Sequence, residues 1–537
     1  MQTALDIVIK NARIIDGTGN PYYSGDIGIA NGLIERIGSD IPAFDAGKVI
    51  NVEGQVACPG FFDTHSHDDA YLLKVPTGNH KILQGVTTDV VGNCGFTLGP
   101  TPPDPGDYLS KIAQLMGGGD MPESVFQIST FNDYLELLES VGLGINVVPL
   151  VGHATIRIAV IGWENRAPNP DELNRMASLA EEAMQAGAFG LSSGLIYVPA
   201  NFATTREVTA LAKVAAKYHG IYTTHMRSEG DHQLEAITEA IRIGRDASLP
   251  VHISHHKVVG RNNWGQSVET LRRFDQARAE GVEVTCDQYP YPAGSTILAA
   301  VLPPAVTSGG PDVYAEKLKH PDFRREVIDI IENDDKGQWE NLIMGAGFEN
   351  IIISFARKNK QYIGKSLAQI AAEESRQAYD VLFDLVSEEK LDVGIILFMM
   401  DEEDIQRIMK SPYTMIGSDG IPGFGESKIH PRQTGTFPRI LGRYVREKGV
   451  LSLEEAIRKM TSLPAQTFKV KNKGLLKEGY DADIVIFDPD TIIDGSTFEE
   501  PMQAPEGISL VLVNGQVAVK DGEITGVSSG RVLRHFV

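Results

Sequence analysis

Two imidazoles one residue apart, His65 and His67, follow an apolar, turn-making run, Pro59-Gly-Phe-Phe-Asp-Thr-His-Ser-His-Asp-Asp. On a strand, side chains at i and i+2 point to the same side, so both rings can reach one metal at the strand's carboxyl end. Four more donor-type residues close apolar runs elsewhere: Cys94 after Val90-Val-Gly-Asn, His225 after Ile221-Tyr-Thr-Thr, His255 after Val251-His-Ile-Ser, and Asp419 after Met415-Ile-Gly-Ser. Thiolate, imidazole and carboxylate are the ligand types of zinc, and a catalytic zinc leaves a position open for water, lowering its pKa to about 7. A carboxylate beside that water can take its proton and return it to a leaving amine. Taken singly, a His-x-His pair, a buried cysteine or an Asp-Gly turn has an ordinary structural explanation. Their joint placement at the ends of several different strands argues for a metal. His252 and His256 read as structural neighbours, not ligands.

The elements that must present these residues alternate between strand and helix. Strand-like runs end near Phe62, Cys94, Val151, Leu195, His225, His255, Asp287 and Ser418, and helical runs such as Pro170 to Met184 and Arg206 to Ala216 lie between them. This rhythm predicts an α/β fold, a (β/α)8 TIM-like barrel over 58–470, with its active site at the carboxyl ends of the strands. Two further apolar runs, Ile351-Ile-Ile-Ser and Gly394-Ile-Ile-Leu-Phe, spoil the count of eight. An insertion of about 50 residues after Pro303, over about 300–350 and after strand seven, is therefore expected as a possible lid. Residues 1–57 and 471–537 alternate apolar and polar residues between Asn-Gly-type turns. They predict a small β-sandwich domain assembled from both termini.

Composition narrows the function. The chain has 537 residues, 42% of them hydrophobic, and a formal charge of −22. Such a charge disfavours nucleic acid and anionic membrane as partners, and no apolar run approaches the ~18 residues of a membrane span. A small-molecule substrate is expected, and an anionic one would need a local Arg or Lys cluster. Three cysteines, Cys58, Cys94 and Cys286, cannot all pair; with no signal-peptide pattern at Met1-Gln-Thr-Ala-Leu, a cytoplasmic location is expected. Nothing in the sequence indicates an oligomeric state.

Several motifs together resemble the amidohydrolase superfamily, and within it the D-aminoacylase (N-acyl-D-amino-acid deacylase) family. They are Gly60-Phe-Phe-Asp-Thr-His-Ser-His-Asp-Asp, Gly92-Asn-Cys-Gly-Phe, His225-Met-Arg-Ser-Glu-Gly, Ile253-Ser-His-His-Lys and Gly417-Ser-Asp-Gly. Gly194-Leu-Ile-Tyr-Val-Pro, Tyr289-Pro-Tyr-Pro-Ala-Gly-Ser-Thr and His430-Pro-Arg-Gln-Thr-Gly-Thr-Phe-Pro-Arg extend the likeness over nearly the whole chain. The resemblance implies a tightly held zinc on Cys94, His225 and His255, and a weaker second site using His65 and His67 with Cys94 between the metals. It makes Asp419 the catalytic acid/base and assigns Lys257, Tyr289, Ser295 and Arg432 to the substrate carboxylate, with Tyr197 bordering the site. The activity implied is hydrolysis of N-acyl-D-amino acids, and the preference for D over L rests on the resemblance alone. A cyclic-amide hydrolase of the hydantoinase or dihydroorotase kind is the alternative enzyme. Those relatives commonly bridge two metals with a carboxylated lysine on strand four, where this chain has Gly190-Leu-Ser-Ser-Gly-Leu-Ile-Tyr. A non-catalytic scaffold is the third reading, and such a protein should lack ligands that this chain retains.

Overall fold

A computed structural model describes residues 4–42, 46–105, 108–115, 121–333, 339–423 and 427–536. Eight short parallel strands form its centre: β1 (Phe61–Asp63), β2 (Val86–Val91), β3 (Asn146–Pro149 with Val151–Gly152), β4 (Gly190–Gly194), β5 (Ile221–His225), β6 (Val251–Ile253), β7 (Val284–Gln288) and β8 (Thr414–Ile416). Each ends within three residues of the position expected from the sequence. They pair in sequence order from β1 to the first half of β3, and from the second half of β3 to β8. Only Leu150 separates the halves of β3, and its N–H donates to Val91 at 3.0 Å. Just beyond the strand ends, Ser66 forms a parallel bridge with Gly420, and the Asp419 N–H donates to the His65 carbonyl at 2.7 Å. The first and last strands are therefore neighbours.

These strands are buried on both faces, as parallel strands flanked by helices are. The helix Pro170–Ala186 starts where Asn169 caps it in a reciprocal box with Glu172 and proline occupies its first turn; it ends at Gly187 in the left-handed region. Each device matches the terminus it occupies. Helix Thr205–Lys217 buries Val208, Leu211, Ala212 and Ala215, a three-four spacing that lays one apolar stripe on β4 and β5.

Both chain ends meet in one nine-stranded sheet. Its seam is the antiparallel pairing of Val56–Pro59 with Ile484–Phe487. Alternate residues from both halves, among them Ile7, Ile9, Ile27, Ile29, Ile484, Ile486, Leu510 and Leu512, share one apolar cluster.

Between β7 and β8 the chain builds a separate lobe. Its antiparallel sheet has Val393–Phe398 at the centre, flanked by Ala293–Ile297 and Ile351–Ala356. Leu298, Leu318, Ile353, Leu382, Phe383 and Ile395 belong to its own core. The extra element is thus larger than the segment expected over about 300–350, of which 334–338 lie outside the described residues. The two apolar runs that spoiled the strand count are partners of each other. Their third strand, Ala-Gly-Ser-Thr-Ile, opens on three residues of low strand preference and has β-branched residues only at its last two positions, so it carries a weak strand signal.

Candidate active site

Three donor residues sit in tight, left-handed turns that follow their strands. Cys94 (φ +52°), His255 (φ +36°) and Asp419 (φ +49°) all have positive φ, a conformation costing a non-glycine residue roughly 1 kcal/mol or more. Neighbours hold each turn. Before Cys94 stands Gly92 (φ +80°), where a Cβ would collide with the Leu150 carbonyl oxygen, so only glycine fits. The His255 N–H donates to Asp287 Oδ1 at 2.6 Å, and Asp419 is tied to the His65 carbonyl as above. The turns aim the three side chains across the strand ends to one point.

There the thiol of Cys94 lies 3.4 Å from His65 Nε2, 3.5 Å from His255 Nε2 and 3.8 Å from His225 Nδ1. Tetrahedral zinc with usual bond lengths separates sulfur from nitrogen donors by about 3.6 Å, so these separations fit a shared ion. A second group lies alongside: Asp419 Oδ1 is 3.3 Å from His67 Nε2 and 3.5 Å from His65 Nε2, against about 3.3 Å between light-atom donors on one tetrahedral zinc. All six side chains are buried except His67, which is partly exposed. Burial opposes ionisation of Cys94, but the charges of His65 and His255 outweigh it and hold the thiol well below its ordinary range. Cys58 and Cys286 show the reverse, since burial pushes both up, Cys286 to about 12. Cys94 is the cysteine prepared to be a thiolate.

Two residues that the sequence reading did not assign to the site orient the imidazoles. Glu229 Oε1 lies 3.0 Å from His255 Nδ1, which also has Lys257 Nζ at 2.7 Å, and Glu229 Oε2 lies 3.5 Å from His225 Nε2. With the proton on Nδ1, the His255 lone pair on Nε2 faces Cys94, which is the form a metal requires. Asp287, at the end of β7, accepts from His252 Nε2 at 2.6 Å and lies 3.6 Å from His65 Nδ1. His252 is accordingly a structural neighbour, and His256 faces Thr270 at 2.9 Å. Glu229 stands four residues after His225, inside a motif already singled out, and Asp287 closes a recognised strand. Ligand-type residues one step behind the donors were the available signal.

The cationic side of the site spans β6 to β8. Arg432, fully buried, places Nη1 2.8 Å from Asp419 Oδ2 and Nη2 3.2 Å from the Ser295 carbonyl. Its Nε has no hydrogen-bond partner among the described residues. Lys257 Nζ contacts both oxygens of Glu229 at 2.7 and 2.8 Å. The Tyr289 ring lies between the two cations, 4.6 Å from the guanidinium and 5.6 Å from the ammonium. Ser295 meets Arg432 through its backbone. Tyr197, beyond β4, sets its ring 5.0 Å from that of His225, and its hydroxyl is 3.2 Å from Thr296 Oγ1. Burial raises Asp419, but Arg432 and His255 outweigh it and hold the carboxyl well below the usual range.

Buried thiol, imidazoles and carboxylate converging at the carboxyl ends of parallel strands define a metal-site α/β protein suited to hydrolysis. Comparison with known proteins places it further. The Amidohydrolase family profile matches residues 48–295 and 366–519. D-aminoacylase of Alcaligenes xylosoxydans xylosoxydans is 39% identical over 98% of this chain and 97% of its own length. N-acyl-D-aspartate deacylase of the same organism is 36% identical over 98% and 95%. The crystal structure of N-acyl-D-glutamate deacylase from Bordetella bronchiseptica, complexed with zinc and a phosphonate mimic of the tetrahedral intermediate, superposes with a TM-score of 0.83 at 36% identity, covering 99% of this chain and 100% of that one. The chain belongs to the amidohydrolase family, in the group that holds D-aminoacylase and the N-acyl-D-amino-acid deacylases. Among the described residues, no helix is long and apolar enough to cross a membrane.

Proposed function

We propose that this protein hydrolyses the amide bond of N-acyl-D-amino acids, releasing a carboxylate and a free D-amino acid. The observation that carries the reading is the coincidence, in one buried site, of the Cys94-centred donor set with an arginine whose Nε is unpartnered. In this reading Cys94, His225 and His255 hold one zinc tightly, and His65 and His67 hold a second more weakly, with Cys94 between them. Bound zinc supplies a Lewis acid and lowers the pKa of a water to near neutrality.

The remaining work falls to the chain. Asp419 accepts the proton of the attacking water and delivers it to the amide nitrogen as the bond breaks. Arg432 and Lys257 hold the substrate's α-carboxylate, with Tyr289 and Ser295 framing it. The guanidinium fork suits that group best, while Lys257 adds a point charge already shared with Glu229. Tyr197 lines the opposite wall. Glu229 and Asp287 keep the imidazoles in their working tautomers.

The same reading takes the eight parallel strands as a closed (β/α)8 barrel, supported by the contact between β1 and β8, and the terminal sheet as a sandwich folded over its shared apolar cluster. A cytoplasmic location accords with three buried, unpaired cysteines. A panel of N-acetyl-D- and N-acetyl-L-amino acids on zinc-loaded protein, read by ninhydrin, tests the activity; release from the L-series alone, or from neither, overturns it. Asp419→Asn should keep its tight metal and lose roughly 10²–10⁴ in kcat. Near-normal turnover in that variant removes Asp419 from the proton path.

A further inference from the structure

The carboxylate clamp follows β6 to β8, and an uncharged cavity lies across the strand ends, over β2 to β4. Lys257, Tyr289 and Arg432 follow β6, β7 and β8. Phe96, Trp163, Ile196 and Tyr197 line this cavity of about 50 Å³, and Ile297 and Leu302 of the lobe also contribute to its wall. None of its lining side chains is charged. The cavity begins at the site itself: Phe96 is two residues past Cys94, the Phe96 and Tyr197 ring centroids are 6.2 Å apart, and Tyr197 packs against His225.

A linear N-acyl amino acid has a fixed order of parts, carboxylate, α-carbon, amide and acyl chain. With the carboxylate at β6–β8 and the amide carbonyl at the donor cluster, the acyl chain must leave toward β2–β4. We propose that this cavity is the acyl-chain site and that the preferred substrates carry a short apolar acyl group longer than acetyl. The inference rests on the deacylase reading above. Counting roughly 10–15 Å³ for each water-sized group, the cavity takes a chain of about four atoms, and an anionic acyl group is excluded because nothing there would pair with it.

The test compares kcat/KM for N-acetyl, N-butyryl and N-hexanoyl derivatives of the D-residue best used by the wild type. Each methylene entering an apolar site is worth about fourfold, so butyryl should exceed acetyl by at least tenfold and hexanoyl should gain little more. Ala300→Phe, which fills the cavity, and Ile196→Ser, which makes its wall polar, should each collapse the butyryl-to-acetyl ratio toward one. Both should leave the ranking of D-side chains at fixed acetyl as it is. Equal rates for acetyl and butyryl in the wild type, or a ratio that neither variant moves, would overturn the proposal. A change in side-chain ranking instead would put the amino-acid side chain in the cavity and overturn it too. Hydrolysis of no N-acyl-D-amino acid at all would bring down the deacylase reading itself.

Discussion

Two buried charge clusters share the strand ends of this protein and treat charge in opposite ways. Around Cys94, three imidazoles lie within 3.8 Å of the sulfur. His225 Nε2 and His65 Nδ1, on the far sides of their rings, face Glu229 and Asp287 at 3.5 and 3.6 Å without a hydrogen bond, and Arg432 Nε has no hydrogen-bond partner among the described residues. A few residues away, Lys81 is fully buried and fully engaged: its ammonium reaches Asp63 Oδ2 at 2.5 Å, Ser418 Oγ at 2.9 Å and Asp68 Oδ2 at 3.5 Å. His80 completes the second cluster by contacting Asp68 at 2.8 Å. Burial would raise Asp68, but His80 and Lys81 hold it well below the usual carboxylate range. Asp63 also accepts from the N–H groups of Ser418 and His65 at 2.8 and 3.2 Å, so the closed cluster fastens β1 to β8 directly behind the donors. The Lys81 cluster serves as a fastening, although Asp89, 3.8 Å from the ammonium, has no hydrogen-bond partner for either carboxylate oxygen among the described residues. The other brings a thiol, imidazoles and a carboxylate to separations that fit shared metal ions.

Removing a donor from the open cluster should give the largest effect on function and a modest one on folding. Cys94→Ala or His255→Ala should empty the tight metal site by elemental analysis and cost on the order of 10³ or more in kcat/KM, beyond the 10–100-fold typical of outer-shell changes. His65→Ala should chiefly lower the second occupancy. Full metal content in both Cys94→Ala and His255→Ala would erase the distinction between the clusters.

In the closed cluster the balance reverses. Lys81→Met leaves Asp63 buried beside Asp68 and Asp89 with no cation, a change expected to cost roughly 3–5 kcal/mol of unfolding free energy. Urea denaturation measures it, and metal content of the protein that remains folded should stay near that of the wild type. Loss of metal at unchanged stability would mean that Lys81 belongs to the working site instead.

Arg432 stands between the two modes, since it pairs with Asp419 yet keeps an unpartnered nitrogen. Arg432→Lys preserves charge and loses the fork, so KM should rise about tenfold to a hundredfold with a smaller change in kcat. Amidating the substrate's carboxylate should hurt the wild type more than Arg432→Ala. Equal losses in the two enzymes would end the clamp assignment.

How far this was legible in sequence follows from the range over which each residue acts. His65, His67, Cys94, His225, His255 and Asp419 end apolar runs, so residue type and local pattern mark them. The eight strands and the terminal hairpins are likewise local patterns. Glu229 has a local mark, four residues after His225, but its contact with His255, like that of Asp287 with His65, is a relation between strands that no spacing records. The lobe exceeds what local pattern marks because its edge strand Ala293–Ile297 begins with Ala-Gly-Ser and its central strand pairs with a partner about 40 residues earlier. Glu340 leaves no local mark for the same reason: its carboxylate accepts from a loop 111 residues earlier in the chain.

Glu340 supplies the smallest and most diagnostic comparison, a buried carboxylate with no ion-pair partner among the described residues. From the lobe, its Oε2 accepts from the N–H groups of Glu229 at 2.5 Å and Gly230 at 3.3 Å. It thereby clasps the loop that carries Glu229 to His255. Burial raises its pKa from 4.5 to about 7, against the lowering effect of those N–H groups. A carboxyl raised in the folded state binds more protons there than in the unfolded chain, so its contribution is present in full below pH 4.5 and is lost as pH rises through about 7. The loss is on the order of 3 kcal/mol at most. Glu340→Gln keeps an oxygen for both N–H groups and removes the titration. Its unfolding free energy should therefore fall less than that of the wild type between pH 5 and pH 8, with kcat at pH 6 within about threefold of the wild type because the Glu229 loop stays clasped. Identical pH slopes in the two proteins would show that Glu340 is ionised throughout this range. The carboxylate would then be held by its backbone donors alone, as an anion the fold tolerates without a partner charge.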